Sequence, residues 1–178
     1  DLLKKLCDEN GTELKVIEPE RDDGDVVSST LIRSLVSEGN ICRANKLLCS
    51  YFGFSAVITH GKRLGRELGT PTINQKLPEN LAVPKYGVYA SAVTLENGKD
   101  YCGVTNIGVK PTVGGTKLLS ETWMPDFHGG EIYGQTADVR LLDFIRPEKK
   151  FDNITELKNA ITDNAVTAKE IFDEMYMK

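Results

Sequence analysis

A mainly β fold with helices at both ends is what the sequence predicts, on three observations. Between residues 53 and 147, glycines and prolines punctuate short stretches rich in Val, Ile, Tyr and Thr, at the spacing of an all-β sheet or barrel. No helical periodicity separates these stretches, which argues against parallel βαβ winding. Residues 153–176 instead carry one apolar stripe at steps of three and four, the mark of a helix lying on another surface.

The elements follow in order. Leu2, Leu3 and Leu6 share one face of a short helix that Gly11 can end. Leu14 to Ile17 is a short strand candidate. Ser28 and Ser29 supply an N-cap signal before a helix over 30–38, and Gly39 follows as its stop. Asn40 can cap a second helix with Ile41, Ala44, Leu47, Leu48 and Tyr51 on one side. Strands are expected at 54–60, 86–95, 100–107, 117–124 and 136–144, with an Asn97-Gly98 hairpin turn between the second and third. In the last helix Ile154, Leu157, Ile161, Ala165, Ala168 and Phe172 make the stripe, and Asn153 with Glu156 has the spacing of a capping box. The barrel is the surface on which that stripe is expected to lie.

Composition narrows the function. Hydrophobic residues form 40% of the 178, enough for a packed core. A net charge of −4 and 7% aromatic content speak against an oligonucleotide-binding barrel, which wants a basic face with interleaved aromatics. No apolar run approaches the roughly 20 residues needed to cross a bilayer. Cys7, Cys42, Cys49 and Cys102 form no C-x-x-C pair, and His60 and His128 lie far apart, so a closed zinc site is not expected. Reduced thiols in a cytoplasmic protein are the expectation. The first residue is Asp1 rather than Met, and the chain is expected to be a piece of something longer.

One stretch carries chemistry: GRELGTPTIN, residues 65–74. Gly61, Gly65 and Gly69 let backbone N–H groups approach an anion, and Lys62, Arg63 and Arg66 add positive charge in an acidic chain. It lacks the Gly-Lys-Ser/Thr ending of a P-loop and the G-x-G-x-x-G of a dinucleotide fold. Pro71 fixes its own φ and biases Thr70 towards an extended shape. If extension continues, Thr72 and Asn74 point to one side. Their neutral oxygens suit magnesium, which completes its shell with water and substrate phosphates. The competing reading is a long glycine-rich barrel connection. For a proton acceptor the best candidate is Glu121, which alternation places on one face with Leu119 and Trp123. A carboxylate beside Leu and Trp is partly desolvated, and that favours uptake of a proton. The competing reading is an ordinary solvated strand glutamate.

At these residues the chain resembles riboflavin kinase, the flavokinase domain of bacterial bifunctional riboflavin kinase/FAD synthetases. The resemblance runs from His60-Gly61 through GRELGTPTIN, then PKYGVYA (84–90), YCGVTNIGVKPT (101–112), SETWMPDF (120–127), EIYGQ (131–135) and IRPEKKF (145–151). It implies a small closed Greek-key β-barrel with a C-terminal helix packed on it. The implied reaction is ATP-dependent phosphorylation of the ribityl 5′-hydroxyl of riboflavin, giving FMN and ADP. By the resemblance, Thr72 and Asn74 hold the Mg²⁺–ATP complex and Glu121 is the catalytic base. The glycine-rich loop covers the nucleotide through Gly61, Lys62, Arg66 and Gly69, with Thr70 and Pro71 beside it. Asn106 and Arg146 fall at the flavin. The chain departs from the family pattern at Thr70, Trp123, Pro125 and His128-Gly129-Gly130, and Pro125 is expected to end or bulge its strand.

Residues 26–48, VVSSTLIRSLVSEGNICRANKLL, look like the end of the FMN adenylyltransferase module that precedes the kinase in these enzymes. The resemblance therefore divides the chain into 1–50, a helical remnant of that α/β module, and 51–178, the kinase. The H-x-G-H element that adenylyl transfer needs is absent from the sequence, so FAD synthesis is not expected of it. Expected partners are riboflavin/FMN and ATP/ADP, with no nucleic acid and no membrane, and with fusion to an adenylyltransferase domain. The alternative function is a flavin- or nucleotide-binding module without catalysis.

Overall fold

The computed structural model describes residues 2–61, 69–112 and 115–176, with side chains throughout except at 110–112 and 115–117. The order along the chain is helix α1 (Leu2–Glu9), strands β1 (Arg21–Asp22) and β2 (Asp25–Val26), helices α2 (Ser29–Glu38) and α3 (Ile41–Leu48), and strand β3 (Gly53–Val57). Then come β4 (Thr72–Lys76), β5 (Gly87–Leu95), β6 (Asp100–Thr112), β7 (Gly115–Trp123), β8 (Thr136–Pro147) and the C-terminal helix α4 (Ile154–Met175).

Strands β3 to β8 form one six-stranded antiparallel sheet in the order β3-β8-β5-β6-β7-β4. β5, β6 and β7 follow one another as neighbours, and β8 returns by the long connection over 124–135 to lie beside β5, which makes a Greek key. The two edges nearly meet. At the seam the Thr59 N–H (2.7 Å) and hydroxyl (3.0 Å) both donate to Asn74 O. Inside the barrel the fully buried Gln75 amide donates from β4 to Ala56 O on β3 (2.7 Å) and Ala137 O on β8 (2.9 Å). The sheet is thus a nearly closed barrel whose narrowest joint falls at Asn74.

Alternation sorts the strands into two faces. Tyr89, Val93, Ile107 and Leu141 point inward with Ile58 and Ile73, in a core that also takes Leu35, Val36, Ile41 and Ala44 from α2 and α3. Buried Asn45 ties α3 to β8 by donating to Leu141 O (2.9 Å), while its carbonyl accepts from Phe52 N (2.7 Å). The outward face carries Val88, Ala90, Ala92, Cys102 and Val104, and α4 covers it with Ala168 and Phe172. Tyr51 latches the end of that helix by donating to Met175 O (2.5 Å).

Several local expectations need correction. Leu14–Ile17 forms no strand. The nearest ladder is β1–β2, turned by Asp23 (φ 48°) and Gly24 and pinned to α3 by Arg43 on Asp22 (3.0 Å) and Asp25 (3.1 Å). Asn40 makes no side-chain cap, although Ser28 caps α2 by accepting from Leu31 N (3.2 Å) and Asn153 caps α4 by accepting from Glu156 N (2.9 Å). Nor does the whole stripe of α4 lie on the barrel. Its C-terminal half does, whereas Leu157 and Ile161 line a cleft and Ile154 is 68% exposed. β7 ends at Trp123, two residues before Pro125.

Candidate active site

Pro71, which cannot donate a backbone hydrogen bond, leads straight into β4, and the extension that it starts runs from Thr72 to Lys76. β4 pairs with β7 so that Asn74 faces Glu121 and Thr72 faces Trp123. On the far side of β7, Glu121 faces Asn106 of β6. Asn106 faces Val88 of β5, and Val88 faces Arg146 of β8. Directly opposed residues on antiparallel strands share a face. Asn74, Glu121, Asn106, Val88 and Arg146 therefore form one row across the outer surface of the barrel. Arg146 joins it because the pairing shifts between Val88 and Tyr89, which face Arg146 and Phe144. A bulge at Ile145 absorbs the extra residue and re-aims the arginine.

Two clefts share Thr72, two residues before Asn74 of this row. The smaller, of about 250 Å³, lies between the row, the segment after β8, and α4. Glu121, Asn106, Arg146 and Glu148 supply its polar wall, and Trp123 and Phe151 supply broad apolar surfaces. The larger, of about 430 Å³, lies across β4 among Pro71, Met124, Phe127 and Tyr133, with Gly129 and Gly130 at its rim. Thr72 lines both. The His60 and Tyr133 rings stack near the larger cleft at 3.8 Å between centroids.

Local contacts hold the groups in place. Asn74 is 8% exposed, and Gly61 lies against its amide so closely that no side chain fits there. Burial pulls the Arg146 guanidinium below its ordinary pKa. That guanidinium donates through Nε to Asn164 Oδ1 of α4 (3.2 Å) and through Nη1 to Pro147 O (3.0 Å), with the Phe151 ring 5.4 Å away. Asn106 Nδ2 donates to Glu148 Oε1 at 3.3 Å.

Of the residues singled out from sequence, Thr70, Thr72, Glu121, Asn106 and Arg146 line the smaller cleft and Pro71 lines the larger. Asn74 stands in the row beside Glu121, and Gly61 covers it. Gly69 is an exposed turn residue with φ 77°. Lys62 and Arg66 lie outside the described residues. Sequence reasoning assigned no role to Glu148, Phe151, Asn164 or Tyr133. Glu148 and Phe151 fall in IRPEKKF, a stretch that the resemblance puts near the flavin through Arg146, and Tyr133 falls in EIYGQ, which the fold brings to the larger cleft. Asn164 had a signal of its own, a polar residue amid the α4 stripe.

Thr72, which lines both clefts, and Asn74, two residues further along β4, offer neutral oxygens, a hydroxyl and an amide, with the Glu121 carboxylate paired opposite Asn74. Among the described residues no group of three or more His, Cys, Asp or Glu is gathered as a metal cluster. Residues 48–172, with every element of the row, match the family model for riboflavin kinase (flavokinase). This chain belongs to the riboflavin kinase family. Bifunctional riboflavin kinase/FMN adenylyltransferase of Escherichia coli K12 is 35% identical over 171 residues, which cover 96% of this chain and 54% of the relative. That of Listeria monocytogenes is 36% identical over 146 residues, covering 82% and 46%. The chain thus spans about half the length of the curated relatives it matches. Among solved structures, a Streptococcus pneumoniae protein described as a macrolide-efflux protein superposes with a TM-score of 0.85 at 30% identity, over 93% of this chain and 54% of the other. Riboflavin kinase from Trypanosoma brucei shares the fold, with a TM-score of 0.53 at 19% identity over 69% and 80%. No helix among the described residues is long and apolar enough to cross a membrane.

Proposed function

We propose that this chain transfers the γ-phosphoryl group of ATP to the ribityl 5′-hydroxyl of riboflavin, giving FMN and ADP. The observation that carries the reading is the pairing of Asn74 with Glu121 beside Thr72, the residue common to both clefts. ATP takes the larger cleft, which Pro71 and Thr72 line. By the family resemblance, Gly61, Lys62, Arg66 and Gly69 are assigned to its phosphates, with Thr70, on the side of the smaller cleft, next to Pro71. Riboflavin takes the smaller one. Its flat ring suits the Trp123 and Phe151 surfaces, and its hydroxylated chain suits Asn106, Glu121 and Arg146.

Thr72 and Asn74 would hold Mg²⁺, since neutral oxygens on one face suit a hard cation whose charge the nucleotide balances. When bound, that ion neutralises charge on the phosphates. The chain's own residues do the rest. Gly61 and the seam at Thr59 keep the Asn74 amide in place. Glu121 takes the proton of the 5′-hydroxyl as its oxygen bonds to the γ-phosphorus, and the bond from that phosphorus to the β–γ bridging oxygen breaks. Positioning supplies most of the rate in such a transfer.

Residues 1–50 are read as the end of an FMN adenylyltransferase module and 51–178 as the kinase, in a cytoplasmic protein fused to the rest of that module. The alignments to bifunctional relatives over most of the chain support the fusion. The test is incubation with riboflavin and Mg-ATP, with separation of flavins by chromatography. FMN and ADP in equal amounts, with no FAD, are expected. Flavin binding without FMN would favour a non-catalytic binding module.

A further inference from the structure

The smaller cleft holds a second carboxylate, Glu148, that the proposed reaction does not use. It sits just after β8, on an exposed segment, and reaches back across the outer face to β6. Two separate observations fix where it reaches. Its Oε1 accepts from Asn106 Nδ2 at 3.3 Å. Its carboxyl group also covers Gly108, where a Cβ would fall 2.9 Å from Glu148 Cδ and 3.1 Å from Oε2. Asn106 and Gly108 are two apart on one strand, hence on one face. A glycine inside the 13-residue β6 weakens the strand, and here it makes room for that carboxylate.

We propose that Glu148 is a positioning residue, which fixes the orientation of the Asn106 amide beside Glu121 and through it sets the acceptor chain for transfer. This inference rests on the riboflavin kinase reading. An ionised carboxylate only accepts hydrogen bonds, so Asn106 must turn its NH₂ towards Glu148. Its carbonyl oxygen then faces away from Glu148. Asn106 stands directly opposite Glu121 in the β6–β7 ladder, so that oxygen can accept from one acceptor hydroxyl while Glu121 takes the proton of another. Without Glu148 the amide is free to turn over and present a donor instead. Arg146 and Lys149 line the same cleft.

The test is a set of variants assayed for FMN formation, with urea midpoints measured in parallel. Glu148→Ala is expected to lower kcat about tenfold, the scale of a small misplacement of reacting groups. The KM for ATP and the urea midpoint stay unchanged, because Glu148 is exposed and lies in the acceptor cleft. Glu148→Gln keeps an acceptor oxygen and is expected to recover most of the loss. Gly108→Ala pushes the carboxylate aside and is expected to reproduce the loss, with little added effect in the Glu148→Ala background. In the Asn106→Ala background, Glu148→Ala is expected to do nothing further, since residues acting through one another are non-additive. An active wild type with an unaffected Glu148→Ala turnover would overturn this inference alone, as would fully additive losses in the Asn106 cycle. A wild type that forms no FMN would overturn the functional reading and this inference with it.

Discussion

Replacing Gly61 by alanine probes the site with a single methyl group. A Cβ at Gly61 would fall 2.7 Å from Asn74 Cγ and 2.8 Å from Oδ1. Ordinary contact between carbon atoms is about 3.5–4.0 Å, so one group must yield by roughly 1 Å. The Asn74 backbone has little freedom to yield. Thr59 holds its carbonyl twice, and β7 holds it in register with Glu121. The amide therefore has to swing. A displacement of about 1 Å in a positioning group can cost about 10²-fold in rate, equivalent to about 2.7 kcal/mol. Overpacking of this kind costs stability by about 1–3 kcal/mol. The assay is steady-state FMN formation over a range of Mg-ATP, with urea unfolding alongside. Gly61→Ala is expected to lose about 10²-fold in kcat/KM for ATP while it still folds. A folded variant with turnover within about threefold of wild type would refute the argument that the Asn74 amide has to stay where it is.

Other expectations follow from the same geometry. Asn74→Asp changes size little but adds a charge next to Glu121, and a loss of turnover with altered divalent-ion dependence is expected in steady-state assays. Gln75→Ala removes both buried donors that span the barrel seam, and a loss of roughly 2–4 kcal/mol is expected in urea unfolding. Burial pushes the Cys42 thiol up to about 11, with help from Asp143, and the Cys102 thiol up to about 12. A thiol reagent at pH 8 should therefore find exposed Cys49 quickly, half-buried Cys42 more slowly and buried Cys102 only after unfolding.

How far the sequence reveals this molecule depends on the kind of signal each element gives. β5 to β8 alternate or carry β-branched runs, and the Asn97-Gly98 turn is marked by its own chemistry, with Asn97 Oδ1 accepting from Lys99 N at 2.9 Å. The stripe of α4 is equally plain. β4 was not foreseen as a strand of its own, because Thr-Ile-Asn-Gln-Lys puts two amides where strands favour apolar residues. Gln75 lies inside the barrel because it has two carbonyls to bond, which no local pattern announces. The αL cap at Cys49 (φ 52°) is equally silent, since glycine is the usual residue there. At the site, the Thr72–Asn74 spacing is a local property and was legible. That Asn74, Glu121, Asn106 and Arg146 share one row is a matter of register between distant strands, and Arg146 enters it only through a bulge. Glu148 came from a contact across 42 residues of sequence.

The most direct measurement compares single-turnover phosphoryl transfer in wild type and Glu121→Gln, with Mg-ADP binding measured on both. If Glu121 takes the proton of the acceptor hydroxyl, the variant binds nucleotide as the wild type does and transfers about 10²–10⁴ times more slowly. Equal transfer rates in the two proteins would contradict that role for Glu121.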